Sequence, residues 1–191
     1  MEAPREEHLV AVKRILRYVA RTKDWGVRYC AGRGKEKLEL VGYSNSNMAD
    51  DVDDHKSTSR MIYFLSGGTI CWQSTKQKVV ALSSCKAEYI IASTTATQGV
   101  WLARLMEEFI GKEGDPPMLY VDNKATISLI KNPILHDRSK HIEIRFHYIR
   151  ECTNRGLIKI DFIRTEEQLG DILTKSLARV KFEELRLKIG V

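Results

Sequence analysis

The chain has 191 residues, 43% hydrophobic and 29% charged, with 12 Gly and 4 Pro, which is one domain's length and a packed protein's balance. A collagen-like or disordered chain is excluded, and no apolar run approaches the roughly 20 residues that span a bilayer. The net charge of +6, from 31 Lys+Arg against 25 Asp+Glu, permits a polyanionic partner without requiring one.

In chain order, the opening residues Glu2, Glu6 and Glu7 are acidic, whereas a secretory leader begins with basic residues followed by an apolar run. The Arg-rich stretch from His8 to Lys37 has some transit-peptide character, which the acidic opening opposes, so a cytoplasmic or nuclear location is expected. Leu9, Val12, Leu16 and Val19 recur at helical steps and predict a helix over His8–Arg21. Trp25–Tyr29 reads as a short strand, and Gly32 and Gly34 as a turn. Leu38–Ser44, Met61–Leu65 and Thr69–Gln73 read as three strands, with an acidic loop over Asp50–Ser59 and a tight turn at Ser66-Gly67-Gly68, hence an antiparallel meander.

A long helix follows, capped by Ser83 or Ser84 and running to about Ile110, with Gly99 a weak point in its middle. Met118–Val121 is a fourth strand. Asp122 and Asn123 at its end are placed to cap a short helix running to Lys131. Lys140–Asn154 predicts a helix, Leu157–Ile163 a fifth strand, and Glu166–Leu177 and Val180–Ile189 two terminal helices. Trp72 and Trp101 are expected in the core. Cys30, Cys71, Cys85 and Cys152 are scattered, without metal-ligand spacing, and read as buried thiols of a reducing compartment. Three meander strands followed by strands alternating with helices make an α/β fold with a mixed sheet.

Taken singly, the acids are unremarkable: Asp122 suits a helix cap, Glu88 an early helical turn, Asp171 a surface. Gathered on one sheet they would repel one another unless they were protonated or a cation neutralised them. Mg²⁺, with its preference for hard oxygen ligands, suits such a group.

Several segments, in order, resemble the ribonuclease H region at the end of copia-type retrotransposon polyproteins. They are KRILRY (Lys13–Tyr18), VGYSNSNMADDVDDHKSTS (Val41–Ser59), the turn at Leu65–Gly68, KQKVVALSSCKAEY (Lys76–Tyr89), YVDNKATI (Tyr120–Ile127), KHIEIRFHYIRE (Lys140–Glu151) and EEQLGDILTK (Glu166–Lys175). The resemblance runs from about His8 to Leu177, and the part before Leu38 is similar to the connection between reverse transcriptase and ribonuclease H. It implies a ribonuclease-H-like mixed five-stranded sheet, three antiparallel strands then parallel ones, flanked by helices. On this reading residues 1–37 form a helical connection segment, 38–177 the ribonuclease-H-like domain and 178–191 a C-terminal helix.

The resemblance also implies hydrolysis of RNA in RNA–DNA hybrids by two Mg²⁺ (or Mn²⁺) ions held on four carboxylates. Glu88 matches the second, Asp122 the third and Asp171 the fourth. At the first position the family reads Tyr-Ser-Asp-Ala-Asp-Trp-Ala-Gly, whereas this chain has Asn45, with Asn47 and Met48 for the next Asp and the Trp. Arg60 stands where a Gly is usual, and Cys85-Lys86 where Thr-Glu is usual. An Asn amide coordinates without charge, so metal binding weakens and the rate falls by at least two orders of magnitude, each decade being about 1.4 kcal/mol of barrier. Asp50, Asp51, Asp53 and Asp54 lie several residues too late to substitute.

The expectation is therefore a retrotransposon-derived protein whose catalysis is lost or strongly weakened. The alternatives are a still active ribonuclease H and a domesticated host protein acting through a protein partner. Lys124, Arg138, Lys140 and Arg145 are the candidate contacts to a hybrid or other nucleic acid. No membrane partner is expected.

Overall fold

A computed structural model describes residues 4–29, 38–48, 55–132, 145–173 and 177–191. In chain order these residues form α1 (Glu6–Arg21), β1 (Leu40–Asn47), β2 (Thr58–Leu65), β3 (Gly68–Lys76), α2 (Ser84–Ile110), β4 (Met118–Val121), α3 (Lys124–Lys131), α4 (Arg145–Asn154), β5 (Lys159–Phe162) and α5 (Arg179–Lys188). Two 3₁₀ turns, Thr165–Glu167 and Leu169–Leu173, stand between β5 and α5. The sheet order is β3-β2-β1-β4-β5, with β1, β2 and β3 antiparallel and β4 and β5 parallel to β1. This is the expected ribonuclease-H-like sheet.

Local chemistry accounts for the elements. The β2–β3 turn places Ser66 and Gly67 at φ 48° and 90°, the pair of left-handed residues that a two-residue hairpin matched to strand twist requires. Ser83 caps α2 by accepting from the Lys86 N–H at 3.2 Å, and Gly111 ends it in the left-handed region at φ 68°. Asn123 caps α3, accepting from the Thr126 N–H at 3.1 Å, so the capping role falls to it and not to Asp122.

The core lies between α2 and the sheet. Tyr89, Ala92, Ala96 and Val100 of α2 meet Leu119 and Val121 of β4, Ile130 of α3, Ile149 and Cys152 of α4, and Ile158 and Ile160. Beside it, Tyr63 of β2 passes between β1 and α2 and donates from its hydroxyl to the Thr95 carbonyl at 2.7 Å. A Cβ at Gly42 would lie 2.4 Å from the Tyr63 ring, and one at Gly99 2.3 Å from its hydroxyl. Both positions therefore need glycine so that this ring can be seated. Burial drives the Tyr63 pKa far above the usual tyrosine range.

Four expectations change. Trp25–Tyr29 is not a strand: Trp25 stacks on Phe182 of α5 at 6.4 Å, the Arg186 guanidinium lies 4.1 Å from its ring, and the Arg28 N–H donates to the Gly190 carbonyl. β1 runs to Asn47, three residues past the expected end, because Asn45, Ser46 and Asn47 pair with Arg60, Ser59 and Thr58. In Glu166–Leu177 the described residues form 3₁₀ turns, not an α-helix. Trp72, on edge strand β3, and Trp101, on α2, are both more than half exposed and not core.

Cys71, Cys85 and Cys152 are free thiols, Cys152 buried and the others half-buried, and burial raises the pKa of Cys71 and Cys152. Cys30 lies outside the described residues. Among the described residues no helix is long and apolar enough to cross a membrane.

A candidate site at the carboxyl ends of β1 and β4

The strand order β3-β2-β1-β4-β5 reverses between β1 and β4, and the crevice outside the carboxyl ends of the strands at such a reversal is where open α/β sheets bind ligands. Side chains alternate along β1. Gly42 faces α2 across Tyr63, so Tyr43 and Asn45 point to the other face. Arg60 is the cross-strand partner of Asn45 and shares that face. In the parallel ladder Ser44 pairs with Val121, which brings Asp122 to the row beside Asn45.

Asp171 arrives from the second 3₁₀ turn. Gln168, fully buried, fixes that turn: its amide donates to the Ser44 carbonyl at 2.9 Å and accepts from the Gly170 N–H at 3.2 Å. The Asn45 amide donates to Asp171 Oδ1 at 2.5 Å, and Arg60 Nη1 lies 3.3 Å from the same oxygen. The Arg60 side chain is completely buried. A guanidinium so placed needs an anion, and Asp171 supplies it.

Glu88 comes from α2 on the opposite side and accepts the Ser46 N–H at 2.6 Å. Gln77 sets the start of that helix against the sheet, donating to Ser59 Oγ at 2.9 Å and to the Ala87 carbonyl at 3.0 Å. Glu88 and Asp171 are buried and Asp122 is half-buried. The fold thus brings Asn45, Asp122 and Asp171 to one strand end, with Glu88 fastened to the next residue of β1.

The donor set is a poor fit for a pair of divalent cations. The first position contributes an amide, which brings no negative charge, and its N–H donates to Asp171. The same Asp171 oxygen also faces a permanent positive charge. Among the described residues, no group of three or more His, Cys, Asp or Glu side chains stands close enough to hold a metal ion. Glu88, Asp122 and Asp171 share a strand end without forming such a cluster.

Of the expected nucleic-acid contacts, Lys124 is exposed two residues beyond Asp122, its ammonium 4.7 Å from the Phe162 ring. Arg145 opens α4, its side chain outside the description, and Arg138 and Lys140 lie outside the described residues, as do Asp50, Asp51, Asp53 and Asp54. Sequence reasoning missed Gln168 and Gln77. Both sit inside the motifs it quoted, but only their contacts reveal the role.

No family model matches the chain. Over all 191 residues it is 40% identical to the retrovirus-related Pol polyprotein from transposon RE1 of Arabidopsis thaliana, spanning 13% of that protein. It is 41% identical to the Pol polyprotein from transposon TNT 1-94 of Nicotiana tabacum, spanning 14%. The chain therefore covers about one seventh of the length of these relatives. A 100-residue stretch is 42% identical to secreted RxLR effector protein 161 of Plasmopara viticola, covering 52% of this chain and 68% of that protein. Among solved structures, the PFV RNase H domain aligns with TM-score 0.47 and 12% identity, over 81% of this chain and 93% of that one.

Proposed function

Since the chain belongs with the ribonuclease H region of retrotransposon Pol polyproteins, we propose that it engages RNA–DNA hybrids and has lost all but a small remnant of the ability to cut them. One observation carries the reading. Where hydrolysis by paired metal ions calls for a second carboxylate beside Asp171, this chain offers the Asn45 amide and the Arg60 guanidinium. Glu88 and Asp122, which the resemblance assigns to the second and third carboxylate positions, lie near the same strand end, and this supports reading the site as a retained scaffold.

Engagement of the hybrid rests on two supports. One is the excess of basic residues, with Lys124 exposed beside Asp122. The other is the 40% identity to polyproteins of retrotransposons. Lys124, Arg138, Lys140 and Arg145 are the residues assigned to phosphate contact.

The test is fluorescence anisotropy of the full chain on a labelled RNA–DNA hybrid in EDTA, followed by gel analysis of the same mixture in millimolar Mg²⁺. The expected result is salt-sensitive binding with the RNA strand intact. A hybrid that is not bound, or is cut within minutes at micromolar protein, contradicts the proposal.

A further inference from the structure

We propose that Arg60 is a built-in cation that takes the electrostatic place of metal ions at this strand end, so that the acidic site is assembled and neutralised by the chain itself and does not take up Mg²⁺ or Mn²⁺ at millimolar concentration. The inference rests on the site reading above and deepens it: the loss lies in two residues acting together, not in Asn45 alone.

The argument begins with register. β2 places Arg60 directly across from Asn45, and both side chains are buried on the same face. Both donate to one atom, Asp171 Oδ1, at 3.3 Å and 2.5 Å. A carboxylate oxygen that accepts two N–H groups has its lone pairs engaged, and a cation seeking it must displace both donors. One of them is a guanidinium, which carries its charge at every pH the protein meets and repels a second cation nearby. The buried Asp171 carboxylate is stabilised by an opposite charge beside it, and here β2 supplies that charge covalently through Arg60. The exchange also explains why a fully buried arginine is tolerated in the sheet, since it is held by an anion that the fold has to place there.

It follows that restoring Asp at position 45 does not by itself restore the metal site. The added carboxylate meets Arg60 across the strand and pairs with it. Only removal of the guanidinium together with return of the acid opens the site to a divalent ion.

The experiment is Mn²⁺ titration followed by electron paramagnetic resonance of the free ion, with melting temperature read in parallel with and without Mn²⁺. It compares the parent, Asn45→Asp, Arg60→Met and the double variant Asn45→Asp/Arg60→Met. Methionine keeps most of the side-chain volume, and Asn45→Asp/Arg60→Gly serves as a second double variant. The parent and Asn45→Asp are expected to show no saturable Mn²⁺ site up to millimolar concentration and no change in Tm. A double variant is expected to bind Mn²⁺ and to melt at least about 3 °C higher with it. A saturable site in the parent that disappears in Asp171→Asn overturns the proposal. So does an Asn45→Asp variant that binds as tightly as the double variants, or double variants that fold and remain blind to Mn²⁺. Should neither double variant fold, the parent with its Asp171→Asn control still decides. Hybrid retention in EDTA is read separately, so failure of the metal inference and failure of the hybrid reading are distinguishable.

Discussion

Tyr63 and its two glycines show how closely single residues are matched. The ring fills a slot between β1 and α2 whose walls are Gly42 and Gly99, and its hydroxyl donates to Thr95. Gly99→Ala forces a methyl into that hydroxyl and is expected to cost about 1–3 kcal/mol in urea unfolding. Tyr63→Phe removes the hydroxyl and loses about 1 kcal/mol. In Gly99→Ala/Tyr63→Phe the clash is relieved, so the double variant is expected to lose clearly less than the sum. Strict additivity would show that the close approach does not matter.

In sequence, Gly99 reads only as a weak point in a helix. Its cause is a ring 36 positions earlier in the chain, and no local pattern carries that information. Asn45 and Arg60 were legible as departures from the family's wording. That they act on one oxygen of Asp171 needed the strand register and the path of the 3₁₀ turn.

Elements with local signals were read well: β4, the Ser83 cap, α2 and the turn at Ser66-Gly67 follow from composition and spacing. Elements defined by partners were not. Asn is disfavoured in strands, which ended β1 too early on paper, yet the ladder with Ser59 and Arg60 carries the strand through Asn45. Glu166–Leu177 has helical composition, but Gln168 bonds the Ser44 carbonyl and the Gly170 N–H, and this holds the segment in short turns that aim Asp171 at Asn45. Gln168→Ala is therefore expected to destabilise the protein by about 1–3 kcal/mol, because the buried Ser44 carbonyl and Gly170 N–H lose a partner.

α1 is the opposite case. It buries none of its residues, and Leu9, Ile15, Leu16 and Val19 are more than half exposed. Deleting residues 1–21 is expected to move Tm by no more than about 2 °C, whereas deleting 1–29 also removes Trp25 from Phe182 and Arg186 and lowers it further. Equal shifts for the two truncations would contradict the docking of Trp25 on α5.

For the whole molecule, the α/β class with a mixed sheet followed from the order of elements, which alone allows several folds, and the five-stranded ribonuclease-H-like arrangement that the structure shows was what the family resemblance implied. The resemblance supplied four candidate positions, while the hydrogen bonds among Asn45, Arg60 and Asp171 were not legible in the sequence. With a net charge of +6 and four assigned phosphate contacts, hybrid binding is expected to weaken with salt at a log–log slope of about −3.6. Lys124→Ala should reduce that slope by about one unit. A slope near zero would remove the electrostatic basis of the hybrid reading.

The most direct measurement is single-turnover cleavage of a labelled RNA–DNA hybrid in millimolar Mn²⁺ by the parent, by Asn45→Asp and by Asn45→Asp/Arg60→Met. The account predicts an intact RNA strand with the parent, little or no cutting with Asn45→Asp, and cleavage at least about a hundredfold faster than the parent with the double variant. A parent that cuts as fast as the double variant would contradict it, because Asn45 and Arg60 would then not be what silences the site.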